Sequence, residues 1–237
     1  MAGPAILRVD EVPSTMEVAH AEAGRSAPHG TAVVAVRQTA GRGTRGRLWS
    51  AERGGLWLSL VARPGRTEAP EALSLRIGLA LAQLLEGLVP GLPTVGVKWP
   101  NDLMIGERKL AGVLSEARWA GTSLQWVVVG IGLNVSNPLP RELAGQATRL
   151  LDWDPSVTVD PLVAPVVACV SEATRDAGPL TTAELNAFAV RDVLTGRRMR
   201  APVIGTADGI TPTGALRVRS DSGPVHEILG GVVTTAG

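Results

Sequence analysis

Residues 95–131 read as a meander, and this stretch limits the fold more than any other. Residues 95–99 (Val-Gly-Val-Lys-Trp) alternate and are β-rich. Pro100 has no N–H to give to a ladder, so it ends that strand and holds Trp99 extended. Gly106-Glu107 reads as a hairpin turn and residues 109–117 as the returning strand. A second turn at Gly121-Thr122-Ser123 leads back through the apolar run at 124–131. Strands joined by turns this short lie antiparallel and adjacent. With helical segments elsewhere, the expected class is α+β with a largely antiparallel sheet, not a doubly wound parallel sheet.

The meander also holds Lys98 and Lys109, the only two lysines of a chain with 21 arginines. Where positive charge is met so consistently by Arg, a Lys points to a site that needs a compact ammonium instead of a planar fork. The plain alternative is two neighbouring lysines that survived by chance. If both hairpins close in simple register, Lys109 is expected near Asp102 on one side and Asn134 on the other. Gly112 is expected opposite Ile131-Gly132. Under a period of two, Lys109 and Gly112 should point to opposite faces, so Gly112 should act only through its backbone. An Asp, a Lys, an Asn and glycines on one patch of sheet suit a polyanion.

A chain of 237 residues can bury a substantial core as one domain, with or without a small appendage. Its net charge of +1 gives no overall pull toward nucleic acid or membrane. Cys169 is the only cysteine, which rules out an intrachain disulfide and fits a reducing cytoplasm. The first ten residues lack a basic stretch followed by an apolar run, so no signal peptide is expected. The most apolar stretch, 73–88, carries Arg76 and Glu86 and is too short to span a bilayer. His20, His29 and His226 are scattered without metal-ligand spacing and are assigned nothing.

Along the chain, residues 6–9 read as a short strand. Ser14-Thr15-Met16-Glu17 has capping-box spacing for a helix ending at Gly24. Residues 31–37 and 55–61 read as strands, and 73–88, apolar nearly all round, as a buried helix. Asp160-Pro161 suits an N-cap and first turn for a helix to about 176, and Thr181 with Glu184 starts another. From 190 onward, short β runs at 215–220 and 225–229 broken by Gly and Pro suggest a small all-β unit. The expected division is therefore residues 1–189 and 190–237.

The second chemical feature is Gly41-Arg42-Gly43-Thr44-Arg45-Gly46-Arg47. Its glycines let backbone N–H groups approach an anion, and its arginines would neutralise phosphate or carboxylate. No Gly-x4-Gly-Lys-Ser/Thr is present, and the Gly-x-Gly-x-x-Gly triplet is followed by a strand instead of a helix, so neither familiar nucleotide motif applies. An exposed basic turn, or a patch that touches RNA, is the competing reading.

In these stretches the sequence resembles the biotin protein ligases. The matching pieces are Ser14-Thr15, Gln38-Thr-Ala-Gly-Arg-Gly, Lys98-Trp-Pro-Asn-Asp, Arg108-Lys-Leu-Ala-Gly and Gly130-Ile-Gly-Leu-Asn, in the family's order. Gly205-Thr-Ala-Asp-Gly-Ile and Gly214-Ala-Leu-Arg-Val look like the family's small SH3-like β-barrel. The resemblance implies a catalytic domain like those of class II synthetases and biotin/lipoate ligases. It implies coupling of biotin and ATP to biotinyl-5′-adenylate, then transfer of biotin to a lysine of a biotin carboxyl carrier protein domain, as in acetyl-CoA carboxylase.

By resemblance Lys109 contacts the reacting carboxylate and phosphate, with Asp102 and Arg42 as further catalytic groups and Asp102 supporting Mg²⁺ through ATP. Ser14, Thr15, Gln38, Gly41, Arg42, Gly43, Lys109 and Gly112 would form the biotin site. Arg42, Arg45, Arg47, Trp49, Lys98, Asn101, Asp102, Lys109 and Asn134 would form the nucleotide side. Each has a duller rival: Ser14 fits a helix cap equally well, Trp49, Trp57 and Trp99 fit plain packing, and Gly130 and Gly132 fit relief of crowding in a sheet.

Two positions depart from the family. Met16 stands where Asn is usual after Ser-Thr, which alters part of the contact set expected for the biotin ring. Thr44 stands where Arg is common, so the adenylate is either held less well or held by Arg45 instead. Nothing before the first strand suits a helix-turn-helix, so no DNA binding is expected. No membrane association is expected either, and the protein is read as a monomer or homodimer. The competing functions are a lipoate or octanoate ligase or transferase, which needs a long acyl tunnel, and a non-catalytic nucleotide- or RNA-binding module.

Overall fold

In the computed structural model, residues 5–231 and 233–235 are described; residues 1–4 of the segment read for a leader, and 232, 236 and 237 of the C-terminal unit, lie outside them. Seven strands form the main sheet: β1 (Ile6–Val12), β2 (Ala32–Gln38), β3 (Leu56–Ala62), β4 (Gly96–Lys98), β5 (Asp102–Ile105), β6 (Arg108–Ala120) and β7 (Ser123–Leu133). Their order is β1-β2-β3-β7-β6-β5-β4. The pair β1–β2 is parallel and the other pairs are antiparallel, so the expected α+β class with a mixed, largely antiparallel sheet is what forms. Among the described residues the α-helices are α1 (Thr15–Gly24), α2 (Leu73–Leu88), α3 (Asp160–Ala173) and α4 (Thr182–Arg191). Among the described residues no helix is long and apolar enough to cross a membrane.

The period of two divides the sheet into two faces. Leu58 and Leu60 of β3 and Val127, Val129 and Ile131 of β7 join Leu75, Ile77 and Leu81 of α2 and Val163 and Val166 of α3 in the main core. The residues between them face the other way. Val33, Val61 and Val128 meet Met16, Ala19 and Ala23 of α1 in a smaller core. Ser59, Gly130 and Gly132 share that second face. The site therefore lies on the α1 side of a sheet made rigid from behind.

The meander forms as expected, with one departure that matters. Ile105 pairs with Arg108 and Met104 with Lys109, but Leu103 then pairs with Ala111 and Asp102 with Gly112. Leu110 is the extra residue of a β-bulge, buried in the main core. The extra residue shifts the alternation by one, so Lys109 and Gly112 share a face and the expectation of opposite faces is wrong. The bulged segment is held outside the sheet as well. Lys109 N–H donates to the Gln146 carbonyl at 2.8 Å, Thr148 N–H to the Lys109 carbonyl at 2.9 Å, and Asn134 N–H to the Leu110 carbonyl at 3.0 Å.

Two of the three expected helix caps also differ. Thr181 and Glu184 make both bonds of a capping box at α4. At α1 neither bond forms: Ser14 is the N-cap by backbone geometry but its hydroxyl caps nothing. At α3 the N-cap is Val159, and the Asp160 carboxylate instead meets Arg8 at 2.6 Å.

Past α4 lies a second, antiparallel sheet of β8 (Arg198–Ala201), β9 (Gly205–Ile210), β10 (Leu216–Ser220), β11 (Val225–Ile228) and β12 (Thr234–Thr235), in the order β11-β10-β9-β8-β12. Its apolar face, with Met199, Leu216 and Val218, is continuous with the main core. Trp99 Nε1–H donates to the Gly214 carbonyl at 2.8 Å, and Arg197 pairs with Glu107 in the β5–β6 turn. Trp99 and Trp57 are thus packing residues, both fully buried. Behind the sheet, the buried Arg76 of α2 holds Glu184 at 2.5 Å and the carbonyls of Asp176, Gly178 and Pro179. That bidentate, multiply bonded guanidinium fixes α4 on α2.

Candidate active site

A cavity of about 500 Å³ opens on the α1 face, over the centre of the main sheet. Its floor is made of glycines. A Cβ on Gly132 would lie 2.6 Å from the Trp49 indole, one on Gly112 3.2 Å from it, and one on Gly130 2.8 Å from the Met16 sulfur. The missing side chains are what let Trp49 and Met16 lie against the strands. Trp49 also meets Trp57 edge-on, with ring centroids 6.4 Å apart.

Ser14, Thr15, Gln38 and Ser59 supply a polar wall. Thr15 N–H and Oγ1 reach the Gln38 Oε1 at 2.7 and 3.0 Å, and Thr15 Oγ1 lies 2.7 Å from Ser59 Oγ. The Thr15 N–H can only donate, so the Gln38 oxygen faces it and the amide NH₂ is left over. With its proton on Gln38, the Thr15 hydroxyl accepts from Ser59. Among the described residues, Ser14 Oγ is buried and has no partner. A cap would have satisfied it; an orphaned hydroxyl in a cavity wall is a ligand contact waiting to form. Ser59 was missed in the sequence. Its signal was there, a single polar residue in the apolar strand Leu56–Ala62, at a position that alternation turns toward the site.

Lys109 is the electrostatic centre. Its Nζ lies 2.5 Å from Asp102 Oδ1 and 5.0 Å from the centroid of the Trp49 ring. The bulge makes this possible, since Asp102 pairs with Gly112 in the sheet, not with Lys109. Lys98, Asn101, Arg42, Gly43 and Arg47 line the same cavity. Asn101 Nδ2 donates to the Val113 carbonyl at 2.6 Å, pinning the start of β5 to β6 and leaving its oxygen free of that bond. Glu107 lies at the rim; the hydrogen bond from Arg197 holds its carboxyl below the usual range, with the Lys98 charge adding to the effect.

Two of the expected residues do not reach the wall. Arg45 sits at φ 61° with its guanidinium beside Gly231. Gly41 lies behind the wall, where a Cβ would come within 2.6 Å of the Trp49 carbonyl. Its role is to let the loop close on itself, with Trp49 N–H donating to the Gly41 carbonyl at 2.9 Å. Asn134 does line the cavity, but its Nδ2 donates to the Thr148 carbonyl at 3.1 Å and its oxygen accepts from Asn137 at 3.2 Å. It shapes the segment 137–148, whose Leu139, Pro140, Leu143 and Gln146 form a second side of the cavity. Nothing in the sequence marked those residues, because the loop is brought to the site by tertiary bonds, its main-chain bonds to Lys109 and the side-chain bonds of Asn134.

The arrangement can bind a small molecule with a compact hydrogen-bonding group at one wall and an anionic group at Lys109. Comparison with known proteins agrees. The profile of the biotin/lipoate A/B protein ligase family matches residues 9–134. The chain is 34% identical over 235 residues to the biotin–[acetyl-CoA-carboxylase] ligase of Paracoccus denitrificans, covering 90% of this chain and 96% of that one. It is 39% identical over 153 residues to the bifunctional ligase/repressor BirA of Bacillus subtilis, a match spanning 62% of this chain and about half, 46%, of the longer relative. The solved biotin protein ligase from Aquifex aeolicus in complex with biotin and ATP superposes with a TM-score of 0.79 at 28% identity, covering 98% of both chains. Family profile, a relative matched over nearly its whole length and the fold agree, and the chain belongs to the biotin/lipoate A/B protein ligase family.

Proposed function

We propose that the chain is an ATP-dependent biotin–protein ligase. It joins biotin to ATP as biotinyl-5′-adenylate and passes the biotinyl group to a lysine of a biotin carboxyl carrier protein domain. The observation that carries this reading is one cavity holding both the unpartnered Ser14 hydroxyl with the Thr15–Gln38–Ser59 relay and the Lys109 ammonium. A ureido group offers one acceptor and two donors. Ser14 O–H and the Gln38 NH₂ can donate to its oxygen, and the remaining lone pairs of Ser14 and Ser59 can accept from its N–H groups. A lipoyl or octanoyl chain offers nothing for these groups to bind, and burying them against it would leave them unpaired.

In the first half-reaction a biotin carboxylate oxygen forms a bond to the α-phosphorus of ATP while the bond to the pyrophosphate oxygen breaks. Two anions must approach, so the barrier is largely repulsion, and fixed positive charge in a water-poor cavity lowers it. Lys109 would supply that charge, with Lys98 and Arg42 lining the same cavity. In the second half-reaction the carrier amine attacks the biotinyl carbonyl, the bond to the phosphate oxygen breaks, and AMP leaves. Asp102 with the nucleotide's phosphate oxygens is a donor set that suits Mg²⁺, which takes few carboxylates and several phosphate or water oxygens. Mg²⁺ would neutralise phosphate charge there. Among the described residues no three His, Cys, Asp or Glu stand together as an all-protein metal site.

We assign the catalytic unit to residues 1–189 and the small β unit to 190–237, the latter bracing the β5–β6 turn through Arg197 and Glu107. The test is transfer to an isolated carrier domain, followed by streptavidin blotting for biotin and lipoyl-specific detection for lipoate. Labelling with biotin alone, at a single lysine and dependent on ATP, is expected. Labelling with lipoate in preference would reverse the substrate assignment.

A further inference from the structure

The Ser14–Glu17 spacing is that of a capping box, yet at α1 neither half caps. Ser14 Oγ faces the cavity, and the Glu17 carboxylate is bonded to Arg42 of the glycine-arginine loop. The loop's own main-chain bonds run inward: Gly43 N–H to Arg47, Arg47 N–H to Thr44 and Trp49 N–H to Gly41. Arg47 likewise turns back on Thr44 of the same loop. Among the described residues, Glu17–Arg42 is thus the polar bond that ties residues 41–48 to the body of the protein. Its anchor is firm, because α1 is seated in the smaller core through Met16, Ala19 and Ala23.

We infer that Glu17 is a positioning residue that holds Arg42 until an adenylate phosphate displaces it. This rests on the proposed ligase reading, since it takes the phosphate as the competing anion. Both partners of the pair are about half exposed, so the bond is weak and a phosphate with matched geometry wins the guanidinium. Release is made easy by the sequence itself. Glu17 is the third residue of α1, within reach of the unused Ser14 N–H and the positive end of the helix. The carboxylate thus has two alternative partners, Arg42 without ligand and the helix terminus with it. Two discrete partners make the loop a two-state element biased by the ligand.

The experiment compares wild type, Glu17→Gln, Arg42→Gln and the double variant. Glutamine keeps the capping option and removes the charge. The probe is a non-hydrolysable biotinyl-adenylate analogue, titrated by calorimetry, with limited trypsin cleavage after Arg45 and Arg47 as a ligand-free readout. Glu17→Gln is expected to tighten analogue binding about two- to fivefold, the scale of an exposed ion pair, and to speed ligand-free cleavage. The tightening should vanish in the Arg42→Gln background. Unchanged or weaker binding, or a gain that persists without Arg42, would overturn the inference. Should wild type not bind the analogue at all, the ligase reading fails. The ligand-free cleavage then decides the tether alone: faster in Glu17→Gln supports it, unchanged refutes it.

Discussion

Gly132→Ala probes the floor of the cavity, where the sequence leaves no room for error. The added Cβ would sit 2.6, 2.8 and 2.9 Å from three atoms of the Trp49 indole, against an ordinary contact of 3.4–4 Å. Either β7 or the indole must retreat by roughly 1 Å, the scale at which overpacking costs ~1–3 kcal/mol. β7 is clamped between β3 and β6 over residues 127–133, whereas Trp49 belongs to a loop, so the indole moves. It takes with it the ring that stands 5.0 Å from the Lys109 ammonium. If that strain falls on the ligand-ready arrangement, biotin affinity should drop about five- to 150-fold, while urea unfolding changes little. Gly130→Ala is the internal control. Its Cβ meets the Met16 sulfur at 2.8 Å, near the end of a flexible side chain, and should cost less. The assay is biotin titration by calorimetry on both variants, repeated in a Trp49→Ala background. The reasoning requires the Gly132→Ala loss to disappear when Trp49 is gone; an equal loss in both backgrounds would refute it.

Ser14→Ala should leave the unfolding midpoint unchanged, because its hydroxyl caps nothing, and should weaken biotin about three- to tenfold, the worth of one neutral hydrogen bond. A fall in thermal stability would restore the capping role. Arg76→Ala should destabilise by ~3–5 kcal/mol in urea unfolding, since it strands Glu184 and three carbonyls, and Arg76→Met less; a cost below ~1 kcal/mol would show the cluster to be dispensable. The hydrogen bond from Arg191 holds the Glu86 carboxyl below its ordinary value of 4.5. A carboxyl depressed by folding adds stability above its unfolded pKa and loses it as pH falls through the lower folded value. Glu86→Gln should therefore flatten the stability loss below about pH 4.5 in urea midpoints measured across that range, and an unchanged acid limb would count against the pair.

How much of this was readable beforehand depended on how local each signal was. Gly106 and Gly121 announced both hairpins because a tight turn with positive φ needs such residues, and both glycines adopt it. Lys109 stood out by composition alone. The bulge at Leu110 did not, since an extra leucine in an apolar strand carries no mark, and the side on which Lys109 emerges depended on it. Ser59 was legible by alternation and overlooked. The diversion of Ser14 and Glu17 from their capping box was not legible. It depends on Arg42 and the cavity, which only the tertiary structure brings to the start of α1. Arg45 shows the opposite failure: a residue drawn into the site by its neighbours in sequence, and carried away from it by a backbone at φ 61°.

The central claim is that this cavity adenylates biotin and that Lys109 supplies the charge that lets two anions react. Biotin-dependent ATP–pyrophosphate exchange measures that step alone, without a carrier protein. Wild type should exchange with biotin and not with lipoate, and Lys109→Ala should lose exchange while keeping its fold by circular dichroism. Exchange with neither acid, or full exchange without Lys109, would contradict the account.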